Sequence, residues 1–223
     1  MTSATVLNLA VSQRAAMYNL LREPILFPTG EITTRLIDGD WQRQLSVCAN
    51  SLDFELPEAE ELQLHASAAE YEVEFIALYE VGMGGAPCPL HSGHFARDRM
   101  KIMEEVLRFY KFFDYQPDKS ADRFPDHIDF ELEFMAHLAQ RYQVALTEGG
   151  DVESPLRAQR DFVNRNLVSW LPGLAKLIDQ RSNLNFFKQV GRLISDFTRW
   201  DSELLEQQLA PLESNNLGDN RNE

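Results

Sequence analysis

The sequence predicts an all-α fold, a single-domain bundle of seven or more helices. Three observations support this reading. Apolar residues recur at intervals of three and four along most of the chain, and no segment shows the strict alternation of a half-buried strand. Proline, glycine and capping residues fall mainly where those periodic segments stop. The chain has 223 residues, 44% hydrophobic and 25% charged, which is enough to bury one sizeable core. It contains no internal repeat and no low-complexity tract.

Taken in order, a first helix is expected from about Ala4 to Arg22, ending before Pro24. A second covers Glu31 to Leu52, with Gly39 as its weak point. Pro57 opens a third, EAEELQLHASAAEYEVEFIALYE, whose acidic first turn suits the positive end of a helix dipole. That helix runs into a Gly/Pro loop, EVGMGGAPCPLHSGH, over 80–94. The next helix, ARDRMKIMEEVLRFYKFFDY, places Met100, Met103, Leu107 and Tyr110 on one stripe. A polar connection leads to PDHIDFELEFMAHLAQRYQVALTEGG. Ser154-Pro155 reads as a hydroxyl cap followed by proline at the first helical position. The helix it starts should be divided by Pro172, just after Trp170. A last helix is expected over about 184–209. The domain therefore spans 1–210, and the polar tail 211–223 reads as disordered.

The net charge of −14 repels nucleic acid and favours a cationic peptide or protein partner. Cys48 and Cys88 are the only cysteines, too few for a disulfide framework, which fits a reducing compartment. The N-terminus reads as an amphipathic helix rather than a cleaved signal, and no apolar run is long enough to span a membrane. A cytoplasmic protein without stable membrane insertion is expected.

The Gly/Pro loop lacks the lysine and hydroxyl of a phosphate-binding loop, and Pro87 and Pro89 remove two backbone donors. Cys88, His91 and His94 offer three ligands at metal-like spacing, but no second pair supplies a fourth, because His65, His127 and His137 are isolated. No motif pairs a nucleophile with its base, so neither a catalytic residue nor a metal is assigned. Ile128, Leu132, Met135, Ala139, Tyr142 and Leu146 share one helix face, and Glu131 falls on it. A carboxylate there has either a structural ion pair or a binding role. Asp126, Asp129 and Glu133 point the other way and are expected to be solvated. His127 lies at the stripe's edge, where a neighbouring acid is expected to raise its pKa. Trp170, with Leu167, Leu171 and Leu174, and Cys48 read as core residues.

Three blocks of residues resemble the TorD/DmsD/NarJ family of redox-enzyme maturation chaperones. Glu74-Phe75-Ile76-Ala77-Leu78-Tyr79, followed by the Gly/Pro loop, is similar to the family's E-Y-x-x-L-F and its glycine- and proline-rich loop. Pro125 to Met135, PDHIDFELEFM, is similar to P-D-H-x-x-x-E-L-x-F-M and is the most specific block. Gln159-x-x-Phe162 through Trp170-Leu171-Pro172 is similar to Q-x-x-F-x-x-x-H-L-x-x-W-x-P, with Asn166 in place of the family's histidine. Cys88-Pro89-Leu90, Gly93-His94 and Arg99 to Tyr110 place the chain closest to the subgroup serving type II dimethyl sulfoxide reductase-like enzymes.

The resemblance implies a TorD-type helical chaperone, without catalysis or cofactor. It would bind the apo catalytic subunit of a molybdopterin oxidoreductase, including its twin-arginine signal peptide, until cofactor insertion is complete. The expected client-binding residues are Phe75, Tyr79, Gly82, Pro87, Cys88, Pro89, Leu90, Asp126, His127, Glu131 and Trp170. They would form a groove with an apolar floor and an acidic rim. Monomer and domain-swapped dimer both stay open, with 116–124 and 147–154 as possible hinges. The alternative is a helical metal- or ligand-binding protein or enzyme using Cys88, His91 and His94.

Overall fold

In the computed structural model, residues 3–80, 84–118 and 123–219 are described. They form nine α-helices: α1 Ser3–Arg22, α2 Gly30–Ile37, α3 Asp40–Leu52, α4 Ala68–Tyr79, α5 Arg99–Phe112, α6 Ile128–Glu148, α7 Glu153–Phe162, α8 Leu171–Arg181 and α9 Asn185–Asp219. Among the described residues there is no strand, only an isolated antiparallel bridge between His91 and His127. No helix there is long and apolar enough to cross a membrane.

Most boundaries follow from local chemistry. Pro24 turns the chain out of α1 into a 3-10 turn over Glu23–Ile25. The single helix expected over 31–52 is two, because Gly39 adopts the left-handed conformation at φ 76° and breaks the ladder. Thr29 starts α2 by accepting the Ile32 N–H.

The largest correction concerns the third predicted helix, which begins at Ala68 and not after Pro57. Ser67 accepts the Glu70 N–H while the Glu70 carboxylate accepts the Ser67 N–H at 2.8 Å, a reciprocal cap that fixes the start there. The clustered carboxylates of Glu58, Glu60 and Glu61 disfavour a helix upstream, and Leu62 and Leu64 are buried from an irregular segment instead.

The stripe expected on α5 is also shifted. Met100 and Leu107 are exposed, whereas Val106, Tyr110 and the following Phe113 are buried. At the start of α7 the cap is Asp151, whose carboxylate accepts the N–H groups of both Glu153 and Ser154; the Ser154 hydroxyl is not the cap. As predicted, the chain divides at Trp170. A π-helical turn over Val163–Leu167 precedes the break, and Pro172 sits in the first turn of α8, where its missing N–H is harmless. The last helix continues through Pro211 to Asp219, beyond the expected 209. The end of the tail, 220–223, lies outside the described residues, as does Gly82.

The core is organised around α6, which is buried on several faces and packs most extensively on α1, with α7 beside it. On the other side α3 covers α1, and α8 packs on α9. A buried polar network joins α1, α7 and α9. Arg14 Nε donates to Asp201 Oδ1 at 2.5 Å, Arg14 Nη2 donates to Gln159 Oε1 at 2.9 Å, and the Tyr18 hydroxyl donates to Asp201 Oδ2 at 2.7 Å. An ion pair of this kind adds little net stability over an apolar filling, yet removing either partner strands a buried charge. The packing also brings the end of α4, the 84–95 loop, and the starts of α5 and α6 together at one end of the bundle.

Candidate functional site

The Gly/Pro loop is tied down at both ends. The Cys88 N–H donates to Leu78 O at 2.9 Å, which pins the loop to the end of α4. Further along, the Ser92 N–H donates to Asp126 O and the Ile128 N–H donates to Leu90 O, each at 2.9 Å, so the loop runs antiparallel to the approach to α6. The structure thus joins the two segments that the sequence singles out.

Their side chains are arranged differently from the expectation. Asp126 is completely buried; its Oδ1 meets His91 Nδ1 at 3.2 Å, and its Oδ2 accepts the Gly93 N–H at 3.2 Å. Burial pushes this carboxyl up, but His91, Arg99 and the Gly93 N–H outweigh it, so it stays below its ordinary 3.8. Only glycine fits at 93, since a Cβ there would lie 2.4 Å from Arg99 Cγ and 2.7 Å from Asp126 Oδ2. Asp129 is buried too, held by Arg22 Nε at 2.6 Å and Arg123 Nη1 at 2.9 Å. Of the three acids expected in solvent, only Glu133 is partly exposed, and it takes the Tyr115 hydroxyl at 2.7 Å.

His127 caps α6 by accepting the Asp129 N–H at 3.2 Å. Burial, and then the charges of Arg123 and His91, push it down to about 2, the reverse of the expected rise; the nearby Asp126 does not compensate. Glu131 is fully buried. Its Oε1 accepts the Ser92 hydroxyl at 2.7 Å, and its Oε2 has no hydrogen-bond partner among the described residues. Burial, reinforced by Asp126, drives this carboxyl well above 4.5.

Against this buried layer lies an open groove of about 610 Å³. Ile25, Phe27, Phe75, Tyr79, Pro89 and Leu90 form its apolar side. The opposite wall is His91, His94, Arg99, Arg123, Phe124 and His127. Phe27 and Phe124 remain 46% and 58% exposed, while Phe27 packs edge-on against Phe75 at 5.9 Å. The apolar floor is present, but among the described residues Glu80 is the only carboxylate in the lining, so the expected acidic rim is not there. Asp126, Asp129 and Glu131 are inside, and Arg99 and Arg123 line the groove.

Phe75, Tyr79, Pro89, Leu90 and His127 therefore line the groove. Pro87 is exposed beside it, and Asp126 and Glu131 lie buried beneath it. Trp170 is buried, packed on Phe95 at 5.1 Å, and its indole N–H donates to Asn166 O. Asn166, where the family carries histidine, is likewise interior. Ile25, Phe27, Arg99, Arg123 and Phe124 went unrecognised from sequence. The one available signal was ILF between Pro24 and Pro28, three bulky apolar residues on a segment too short to bury them all.

The Cys88, His91, His94 set does not fit a metal. Cys88 is wholly buried and desolvation pushes its thiol up to about 11, away from the thiolate a metal needs. His91 is committed to Asp126, and no group of three metal-ligating side chains converges among the described residues.

The model of the nitrate reductase delta subunit family matches residues 39–176. Over 110 residues, 48% of this chain, the sequence is 40% identical to the selenate reductase assembly chaperone protein of Thauera selenatis and 37% identical to the chlorate reductase assembly chaperone protein of Ideonella dechloratans. In each case the match spans 57% of the relative's length. The perchlorate reductase assembly chaperone protein of Dechloromonas aromatica is 29% identical over 90% of this chain and 92% of its own. Among solved structures, an Archaeoglobus fulgidus protein assigned to redox enzyme maturation superposes with a TM-score of 0.52, at 16% identity, over 83% of this chain and 93% of that one, which establishes a shared fold.

Proposed function

The chain belongs to the nitrate reductase delta subunit family, the TorD-like family its motifs indicate, and we propose that it is an assembly chaperone for a molybdenum oxidoreductase. In this reading it binds the immature catalytic subunit of a type II dimethyl sulfoxide reductase-like enzyme in the cytoplasm. It holds that subunit while the molybdopterin cofactor is inserted and releases it afterwards, catalysing no bond chemistry itself. The bound part of the client includes its signal peptide.

The observation that carries this reading is the open groove between the Gly/Pro loop and the start of α6. Phe27 and Phe124 keep large aromatic surface in water there, where an extended apolar segment can cover it. Covering one such aromatic side chain is worth about 1.5–3 kcal/mol before the entropy of ordering the segment is counted. Two or three such contacts give the moderate affinity a client must have if it is to be released.

Co-expression with a molybdenum oxidoreductase catalytic subunit that still carries its signal peptide tests the proposal. The subunit should co-purify with the wild-type chain and not with Phe27→Asp, whose folding circular dichroism would confirm. Equal recovery with both would refute the groove as the contact.

A further inference from the structure

We infer that this groove takes an apolar segment bearing a carboxylate, and that the guanidinium pair of a twin-arginine peptide lies outside it. The inference rests on the client-binding reading above and specifies its chemistry.

Apart from Glu80, the charged side chains lining the groove are cations. Both oxygens of Asp126 are occupied, by His91 and the Gly93 N–H, and both of Asp129, by Arg22 and Arg123. Glu131 is fully buried, and its Oε1 is taken by the Ser92 hydroxyl. Among the described residues, Glu80 is the only lining carboxylate, whereas Arg99 and Arg123 both line the space. An entering guanidinium would meet two like charges in a partly desolvated cleft, where such repulsion is weakly screened.

Arg99 is poised for the opposite charge. Its nearest carboxylate oxygen, Asp126 Oδ2, is 3.6 Å away, beyond a hydrogen bond. Among the described residues the guanidinium has no hydrogen-bond partner, and it rests over the Phe124 ring at 4.8 Å. Stacking of this kind fixes the plane of the guanidinium and leaves its edge available for a planar carboxylate. Across the cleft Phe27, Phe75 and Tyr79 accept the neighbouring apolar side chains. The occupant that complements both sides is an extended peptide with Asp or Glu beside bulky apolar residues.

Fluorescence anisotropy with three labelled twelve-residue peptides tests this on the full chain. All share one Leu/Phe-rich sequence, with Asp, Asn or Arg-Arg at the centre. The Asp peptide should bind roughly tenfold more tightly than the Asn peptide, the worth of one charge-assisted contact, and the Arg-Arg peptide most weakly. Arg99→Gln should bring the Asp and Asn peptides within about twofold of each other, while Arg99→Lys keeps part of the preference. Phe27→Ser should weaken all three alike.

If Phe27→Ser weakens all three but Asp shows no advantage over Asn, or Arg-Arg binds best, the carboxylate preference is wrong and the groove reading survives. If Phe27→Ser changes none of them, or no peptide binds, the groove is not the site and both fall.

Discussion

Two groups buried side by side at the start of α6 should tilt stability with pH in opposite directions. His127 is held neutral down to about 2 in the fold, against an ordinary 6.5. Below pH 6.5 the unfolded chain therefore binds a proton that the native state does not, and stability falls as the solution is acidified. Burial drives the Glu131 carboxyl the other way, well above 4.5 in the fold. Above pH 4.5 the unfolded chain loses a proton the native state keeps, and stability falls as pH rises. The His127 effect approaches about 1.4 kcal/mol per pH unit, or up to about 2.7 kcal/mol across pH 4.5–6.5, and the Glu131 effect opposes it there. Asp126 does not disturb the comparison. Its folded pKa lies below 3.8, so its contribution is complete above that pH and is lost only in stronger acid.

The variants to compare are His127→Asn, which keeps a side-chain oxygen to cap α6, and Glu131→Gln, which keeps an acceptor for the Ser92 hydroxyl. Urea unfolding followed by circular dichroism at half-unit steps gives the slopes directly. Glu131→Gln should gain stability by about 2–3 kcal/mol from pH 4.5 to 6.5, and His127→Asn should lose stability as pH rises above 4.5; the double variant should show neither slope. Two single variants that both track the wild type would show that neither group holds the protonation state assigned to it.

Other outcomes follow from the packing. Gly93→Ala should cost about 1–3 kcal/mol in thermal or urea unfolding, because its methyl must displace Arg99 or Asp126. Asp201→Ala leaves Arg14 charged and buried and should cost about 3–5 kcal/mol, whereas an exposed acid such as Glu203 changed to Ala should cost under 1 kcal/mol in the same titration. Cys88→Ser places a hydroxyl in an apolar site and should cost about 1–3 kcal/mol, and native Cys88 should resist iodoacetamide at pH 8 until the chain is unfolded.

Helix count, the break at Trp170 and the apolar face of α6 were legible because each follows from neighbours within a few residues. The start of α4 was legible in principle through Ser67 and Glu70, but the proline and acidic turn at 57–61 gave a stronger signal upstream. The site was half legible. Phe75, Tyr79, Pro89 and Leu90 could be placed by motif, and the loop does lie on α6. The charge pattern could not, because a helical wheel treats Asp129 as solvent-facing while its partner Arg22 comes from 107 residues away. Asp126 was hidden for the same reason, its partners arriving from the loop and from Arg99. Periodicity reports one helix's own faces. It is silent about a central helix such as α6 that is covered on several sides.

Photocrosslinking tests the client groove most directly. Benzoylphenylalanine would be placed at Phe27, at the groove, or at Val144, an exposed position in a separate cleft beside Phe112 and Phe113. Each variant would be irradiated with the immature catalytic subunit of a molybdenum oxidoreductase. The account predicts a covalent adduct from position 27, mapping to an apolar stretch of the client, and none from 144. Adducts from 144 alone would place the client on the other face and contradict it.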